Sequence, residues 1–503
     1  SWSMSFPAGT AGATRLQVLQ DAARRFMDLI QAGNGVGLIR FDHDSYAVND
    51  PTFPGFPVTR ITTDADFDVD RVAAIAAVNA HAANPAGNTS VGDGVDRARQ
   101  VLNAVPAGDY QQKAMIVLTD GVENQPLWIA DVAGSIDSRT FAIGLGNEQQ
   151  VNTTALRALA NGTGGALLLT GLLTPATDDY FRLSKYFLQI LAGVTNTSII
   201  VDPFGFIAPG TVVRVPFRLT EADIDCTALV MTDENVVDLA VEAPDGTLIS
   251  PAMAPGLGMT YGVGAQTRSY RFTLPVALGA GQRAGLWNAV LQVDRADFAK
   301  TLSRLRERKD PRLQTFATHG ARYSVVAQTY SNLRMTTTLE QSSFEPGATL
   351  ALRAVLTEYG LPVERRARVE VELTRPGGAV LIVPMAETEP GTFEATTLAT
   401  YAGIYRARIM ASGVTLRGAP FTREETLTAA VWKGGDDPYR PPQDGGAGGD
   451  KGELCRLLDC LLGEKVLSPE WQDRLKRDGI DLQALRYCLD AWCRTGRRLP
   501  GPM

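Results

Sequence analysis

The chain has 503 residues, of which 45% are apolar and 20% charged, and its formal net charge is −7. This length and composition predict about three or four soluble domains with real hydrophobic cores, and no apolar run is long enough to span a membrane. The acidic balance argues against a nucleic acid as the partner, because phosphate backbones attract basic surfaces.

The first part of the chain alternates predicted helices with predicted strands. Apolar residues recur every three and four positions over residues 11–31, which predicts a helix with one buried face. Further helices are predicted at 68–82, 91–102, 153–160 and 180–192, and strands at 36–41, 115–118, 141–145 and 166–169. This alternation is typical of a doubly wound, Rossmann-like α/β domain, which we place at residues 1–193. Ligands of such domains bind outside the carboxyl ends of the strands.

Three loops of this domain carry oxygen-bearing side chains that suit one metal ion. Ser3 and Ser5 lie two residues apart, Thr89 precedes the predicted helix at 91–102, and Asp120 follows a predicted strand. Mg²⁺ takes about six hard oxygen ligands, including hydroxyls, waters and one or two carboxylates. These four residues become candidate metal ligands through a family resemblance, which implies Mg²⁺ as the expected ion with Ca²⁺ or Mn²⁺ as alternatives.

These motifs resemble the metal-ion-dependent adhesion site of the von Willebrand factor A (VWA) family. In that family a D-x-S-x-S motif ends the first strand, a threonine lies on a second loop, and an aspartate follows a third strand. Ser3, Ser5, Thr89 and Asp120 match these places, whereas Ser1 stands where the family has its first aspartate. The resemblance implies a degenerate site that binds metal weakly or not at all, and a protein ligand whose acidic residue completes the metal shell.

A narrower resemblance is to VWA domains of the calcium-activated chloride channel regulator type. It covers roughly residues 1–190 and extends weakly to about residue 435. The matching segments are 87–94 (GNTSVGDG), 117–121 (VLTDG), 142–146 (AIGLG) and 163–165 (TGG). In that family a metalloprotease-like domain precedes the VWA domain and β-rich modules follow it.

The remainder of the chain is predicted to be β-rich, then flexible, then helical. Short β-like runs separated by Pro-Gly and Asp-Gly turns predict a β-sandwich at 194–334. A second unit at 335–432 resembles the immunoglobulin-like modules that stiffen bacterial surface proteins, and such modules act as spacers. A linker rich in Gly, Pro and Asp follows at 433–452, and a small helical unit is predicted at 453–503.

Four of the five cysteines lie in the predicted helical unit. Cys455 and Cys460 fall on its first helix, and Cys488 and Cys493 fall on its last. Disulfides joining Cys455 to Cys493 and Cys460 to Cys488 would staple a helical hairpin. Five positions along a helix turn about 140°, however, which makes two simultaneous bridges awkward. A zinc site and four reduced thiols are the alternatives. The fifth cysteine, Cys226, is predicted to be a buried free thiol.

The sequence favours a binding protein without enzymatic activity. It has three histidines and no H-E-x-x-H, G-x-S-x-G or P-loop motif. The leading hypothesis is an adhesion protein that recognises a protein partner through the VWA metal-site face. The alternatives are the non-catalytic part of a processed, secreted relative of the metalloprotease-like channel regulators, or an intracellular assembly factor. Secretion or display at the cell surface is favoured over a cytoplasmic location.

The resemblance also implies that a strand is missing. In the VWA fold the strand that ends at D-x-S-x-S is central, and this sequence begins at Ser1, without residues for it. An empty place would leave backbone groups unpaired at about 1–3 kcal/mol each, which is large against a total stability of about 5–15 kcal/mol. We therefore expect an N-terminal fragment of the same precursor, or a partner chain, to supply this strand.

Overall fold

The computed structural model describes residues 4, 14–42, 56–62, 69–80, 89–119, 123, 125–146, 158–159, 167–170, 181–264, 266–279, 281, 283–310 and 312–436. Contacts divide the chain into one unit over Ser1–Tyr439 and a second over Arg440–Met503. The predicted helical unit, its four cysteines and most of the predicted linker lie outside the described residues.

The described part of the first 195 residues follows the predicted alternation of helices and strands. The helices are α1 (Arg15–Leu29), α2 (Val69–Ala80), α3 (Val91–Ala104) and α4 (Arg182–Thr195), with a 3₁₀ helix at Ile129–Ser135. The strands are β1 (Gly35–Leu38), β2 (Phe56–Arg60), β3 (Met115–Thr119), β4 (Thr140–Gly144) and β5 (Leu167–Leu169). β2 has no counterpart in the sequence-based expectations, and the predicted helix at 153–160 is described only at residues 158–159.

Two described helix starts in this region have a side-chain cap. Thr14 precedes α1 and forms a capping box with Gln17: its hydroxyl accepts the Gln17 N–H at 3.2 Å, and the Gln17 side chain accepts the Thr14 N–H at 2.8 Å. Ser90 precedes α3, and its Oγ accepts the Asp93 N–H at 3.2 Å. Such caps satisfy N–H groups that have no partner inside the helix, at about 0.5–2 kcal/mol each.

The strands of this region form two separate sheets. β3, β4 and β5 are parallel neighbours, with Met115 opposite Thr140 and Thr119 opposite Gly144. Apolar side chains of α3 pack on one face of this sheet, and those of α1 and α4 pack on the other. The predicted parallel sheet with two covered faces is therefore confirmed for these strands. β1 and β2 pair only with each other, in antiparallel orientation.

Residues 197–431 are mainly antiparallel strands. The strands are β6 (Thr197–Val201), β7 (Phe204–Ile207), β8 (Val212–Leu219), β9 (Asp225–Thr232), β10 (Val237–Glu242), β11 (Leu248–Ile249), β12 (Thr260–Val263), β13 (Thr267–Thr273), β14 (Gly285–Val293), β15 (Ala321–Tyr330), β16 (Leu333–Gln341), β17 (Ala348–Glu358), β18 (Leu361–Pro362), β19 (Ala367–Thr374), β20 (Val380–Glu389), β21 (Thr392–Ala399), β22 (Gly403–Val414) and β23 (Pro420–Val431). A 3₁₀ helix at Pro255–Leu257 and the helices α5 (Arg295–Glu307) and α6 (Leu313–His319) interrupt them.

These strands build a four-stranded sheet and one long sheet. The smaller sheet has the order β11-β10-β14-β8, and the longer one runs β12-β13-β9-β15-β6-β23-β22-β19-β20-β21-β17-β16. β6 joins the two halves of the longer sheet, because it pairs with β15 and also, at Ile199 opposite Glu424, with β23. Strands from the predicted units at 194–334 and 335–432 therefore share hydrogen bonds. The boundaries of those units stay predictions.

Two of the hydrophobic clusters among the described residues fill the interior of the β-rich region. The first surrounds Trp287 and Tyr270, both fully buried, and contains Cys226. Cys226 is free and buried, as predicted, and burial raises the pKa of its thiol well above the ordinary value. The second core surrounds Leu352 and Tyr405. Within the described residues, no helix combines the length and the apolar character that crossing a membrane requires.

Candidate functional site

Three connections meet beside the N-terminus of α3. The first follows β1, the second leads into α3, and the third follows β3. The Ser90 N–H donates to the Asp42 carbonyl oxygen at 2.6 Å, and the Gln125 N–H donates to the Thr89 carbonyl oxygen at 3.2 Å. The Thr89 segment is therefore fixed on both sides by backbone hydrogen bonds.

Thr89 is the predicted metal ligand that the structure describes, and Ser3, Ser5 and Asp120 lie outside the described residues. Thr89 is buried, with 3% of its surface exposed. Met4, which lies between the two serines, and Thr119, which precedes Asp120, line the same cavity as Thr89. Thr89 thus borders the same cavity as Met4 and Thr119, which are adjacent in sequence to the other predicted ligands.

Glu123 is a positioning residue that the sequence did not reveal. Its carboxylate accepts the Gly92 N–H at 2.9 Å and the Ile129 N–H at 3.1 Å, and 3% of the residue is exposed. Burial raises the pKa of Glu123, while the N–H donors of Ile129 and Gly92 oppose that rise. Glu123 therefore ties the connection after β3 to the first turns of α3 and of the 3₁₀ helix at Ile129–Ser135.

Gly92 lets that connection approach α3 closely. A Cβ added to Gly92 would clash with the backbone carbonyl of Trp128. The neighbouring Ser90 hydroxyl donates to the Leu127 carbonyl oxygen at 2.8 Å. The α3 terminus and the segment at 127–128 therefore pack backbone against backbone, which holds the three connections in one arrangement.

The described residues do not by themselves make a metal site. Among them, no group of three or more His, Cys, Asp or Glu side chains is close enough to hold an ion. Of the four predicted metal ligands, the structure describes Thr89, which offers one hydroxyl. Mg²⁺ takes about six oxygen ligands. No metal-dependent step follows from this geometry.

Residues 1–169 match the family model of the von Willebrand factor type A domain. No curated protein matches the chain. A DUF4785 family protein from Legionella pneumophila shares 9% identity with a TM-score of 0.29, and the match covers 47% of this chain and 63% of that one. A Bacillus licheniformis lipase in its propeptide form shares 10% identity with a TM-score of 0.28, over 69% of this chain and 86% of that one. The adhesin domain of Epf from Streptococcus pyogenes shares 9% identity with a TM-score of 0.15, over 46% and 77%. These TM-scores are too low to carry an argument.

Proposed function

Residues 1–169 form a VWA domain, and from this premise we propose that the protein is a non-enzymatic binding protein that recognises a protein ligand. VWA domains generally mediate protein–protein interaction or adhesion. The proposed binding face contains Ser3, Ser5, Thr89 and Asp120, and the proposed contact on the ligand is an acidic residue.

The observation that carries this proposal is the backbone network around Thr89. Bonds from Ser90 to Asp42 and from Gln125 to Thr89 fix three connections before any ligand arrives. A preformed face loses less conformational freedom on binding than a mobile one, so more of its contact energy appears as affinity. The proposed binding face includes the connection that follows the parallel strand β3, and ligands of α/β domains generally bind at the carboxyl ends of such strands.

The first N–H groups of α3 are already bonded inside the protein. The Gly92 N–H donates to Glu123, and the Asp93 N–H donates to Ser90. A ligand carboxylate would therefore be bound by a metal ion or by loop hydroxyls rather than by these N–H groups. VWA domains often bind a divalent metal, and we propose that Mg²⁺ binds here weakly, because Ser1 replaces a carboxylate.

We further propose a narrower family relationship for the VWA domain. Segments 87–94 and 117–121 support a relative of the calcium-activated chloride channel regulators. In that case the β-rich region at 194–432 serves as a spacer that holds the VWA face away from its attachment point.

The test measures binding of the 503-residue chain to an immobilised peptide library. Each peptide contains one Asp or Glu and is paired with a counterpart that has Asn or Gln at the same position. We expect binding to the acidic members, and Thr89→Ala should abolish it. Thr349→Ala, an exposed threonine on β17, is the matched control and should bind as the unaltered chain does. Equal binding of acidic and amide peptides would contradict the proposal.

A further inference from the structure

Within the part of the chain that the structure describes, one edge of β20 is paired over only half of its length. The other edge of β20 pairs with β19, where Val380 lies opposite Thr374. The half-paired edge meets β21 from Ala386 onward. Among the described residues, no strand pairs with this edge over residues 380–385. We call this stretch of β20 the open edge.

The hairpin between β19 and β20 shows which backbone groups face the open edge. The Arg375 N–H donates to the Ala379 carbonyl oxygen at 2.8 Å, so this pair directs its groups across the hairpin. In antiparallel strands such pairs alternate with pairs whose groups point to the outer edges. Ala386, where β21 begins to pair, belongs to this second set. The residues that direct their backbone groups to the open edge are therefore Val380, Ile382 and Pro384.

The open edge is apolar and exposed. Val380 is 57% exposed and Ile382 is 50% exposed, and Pro384 is exposed as well. Leu381 and Val383 point to the opposite face, where they are partly buried against the second core. Edge strands are normally protected from pairing by charged side chains or by proline. In this edge Pro384 is such a residue, and Val380 and Ile382 are left unprotected.

The charges that flank the open edge differ in sign at its two ends. Arg375 lies in the hairpin before it and Glu387 lies after it, with no charged residue between them. Two copies that pair in antiparallel orientation bring the Arg375 end of one toward the Glu387 end of the other, whereas parallel pairing brings like charges together. The open edge is therefore complementary to a second copy of itself.

We propose that two copies of this chain pair through their open edges, in antiparallel orientation, about a two-fold axis at Leu381. Val380 of each copy then lies opposite the partner's Ile382, and each such pair exchanges both of its N–H···O=C hydrogen bonds. The long sheet becomes continuous through both copies, and the exposed side chains of Val380 and Ile382 cover one another.

Pro384 favours this register over the neighbouring one. A two-fold axis at Ile382 would place Val380 opposite the partner's Pro384, which has no N–H to donate to the Val380 carbonyl oxygen. An axis at Leu381 leaves Pro384 outside the paired residues. Because a contact confined to one strand buries a small area, we expect the association to reverse on dilution.

The test measures association of the 503-residue chain by sedimentation velocity over a series of concentrations. We expect a reversible equilibrium between monomer and dimer, in which the mean sedimentation coefficient rises with concentration. Ile382→Lys should keep the chain monomeric, because it places a charge in the pairing edge. Ile382 is half exposed, so this variant should still fold, which circular dichroism checks. Val212→Lys is the matched control, because Val212 on β8 is 49% exposed, and it should associate as the unaltered chain does.

A cysteine variant tests the register. Opposite residues of a non-hydrogen-bonded antiparallel pair have Cα atoms about 4.5 Å apart, a distance that a disulfide spans. Leu381 faces the partner's Leu381 across the proposed axis, so Leu381→Cys should give a disulfide-linked dimer on mild oxidation. Val383→Cys is the control on the same strand face, because its two copies are displaced along the strand by about 13 Å. It should not cross-link above the background that the five natural cysteines give.

A chain that stays monomeric at every concentration would overturn the proposal. So would equal association of Ile382→Lys, or a dimer that Leu381→Cys does not cross-link, because the contact would then lie elsewhere. A monomeric chain that binds a synthetic peptide of residues 379–386 would assign the open edge to other extended segments and would also overturn pairing between copies. None of these readouts involves Thr89 or an acidic ligand, so failure here is distinct from failure of the proposed binding face.

Discussion

Arg423 and Asp223, which lie 200 positions apart in sequence, form a fully buried ion pair with an Nη2 to Oδ1 distance of 2.6 Å. Arg423 belongs to β23, and Asp223 lies in the connection between β8 and β9. The guanidinium also donates to the Ser331 hydroxyl at 3.0 Å and to the Leu333 carbonyl at 3.3 Å. The pair therefore joins the two halves of the β-rich region.

Removing one partner of this pair should destabilise the protein strongly. Asp223→Ala leaves the Arg423 charge buried without its counter-ion, and such losses cost about 3–5 kcal/mol. The free energy of unfolding in urea measures the effect. Glu370→Ala is the control, because Glu370 pairs with Arg368 at 3.1 Å on the surface, and exposed pairs contribute about 1 kcal/mol or less. Similar losses for both variants would contradict the assigned role.

Asp233 should make stability depend on pH in the acid range. Burial raises the pKa of Asp233 from 3.8 to about 6, although Arg322 and Arg312 oppose the rise. Between these two values the folded state holds a proton that the unfolded state has released, so the free energy of unfolding falls as pH rises through this window. The expected contribution is about 3 kcal/mol.

Asp233→Asn tests this expectation, because asparagine does not titrate. Compared with the unaltered chain, the variant should gain relative stability as pH rises from about 4 to about 6. Asp245→Asn should show the opposite sign at lower pH, below the ordinary pKa of 3.8, because the Thr247 N–H lowers the pKa of Asp245 and the variant loses relative stability as pH rises through that range. Urea unfolding at a series of pH values measures both, and a constant difference between Asp233→Asn and the unaltered chain would refute the assignment.

Glu123→Ala should loosen the connection after β3. The substitution leaves the N–H groups of Gly92 and Ile129 without their acceptor, at about 1–3 kcal/mol for each buried group. Hydrogen exchange should rise at these two amides, and stability should fall. Glu340→Ala, at an exposed position of β16, should change neither. Unaltered exchange at Gly92 and Ile129 would show that Glu123 does not hold this connection.

At the proposed binding face, Mg²⁺ should bind more weakly than to a complete VWA metal site, because the resemblance places Ser1 where the family has a carboxylate. Isothermal titration of the full chain measures the affinity, and Ser1→Asp should increase it by restoring the missing charge. Micromolar binding by the unaltered chain that Asp120→Ala abolishes would contradict the expected weakness.

The sequence predicted the described helices α1 to α4 and the strands β1, β3, β4 and β5 of the VWA domain. The spacing of apolar residues predicted α1, whereas the caps Thr14 and Ser90 were found only in the structure. The apolar run at residues 115–118 predicted β3 (Met115–Thr119). β2 was missed because its five residues include Pro57 and Arg60 and show no clear alternation in burial.

The sequence by itself determined the local elements and the family pattern, because periods of two and 3.6 residues and helix caps act between chain neighbours. Only the tertiary structure decided that Glu123 contacts α3 and that Arg423 pairs with Asp223. Those relationships join residues far apart in sequence, and a carboxylate carries no local mark of its distant partner. The free energies of these contacts depend on burial and on the distances between atoms, and both are set by the tertiary structure.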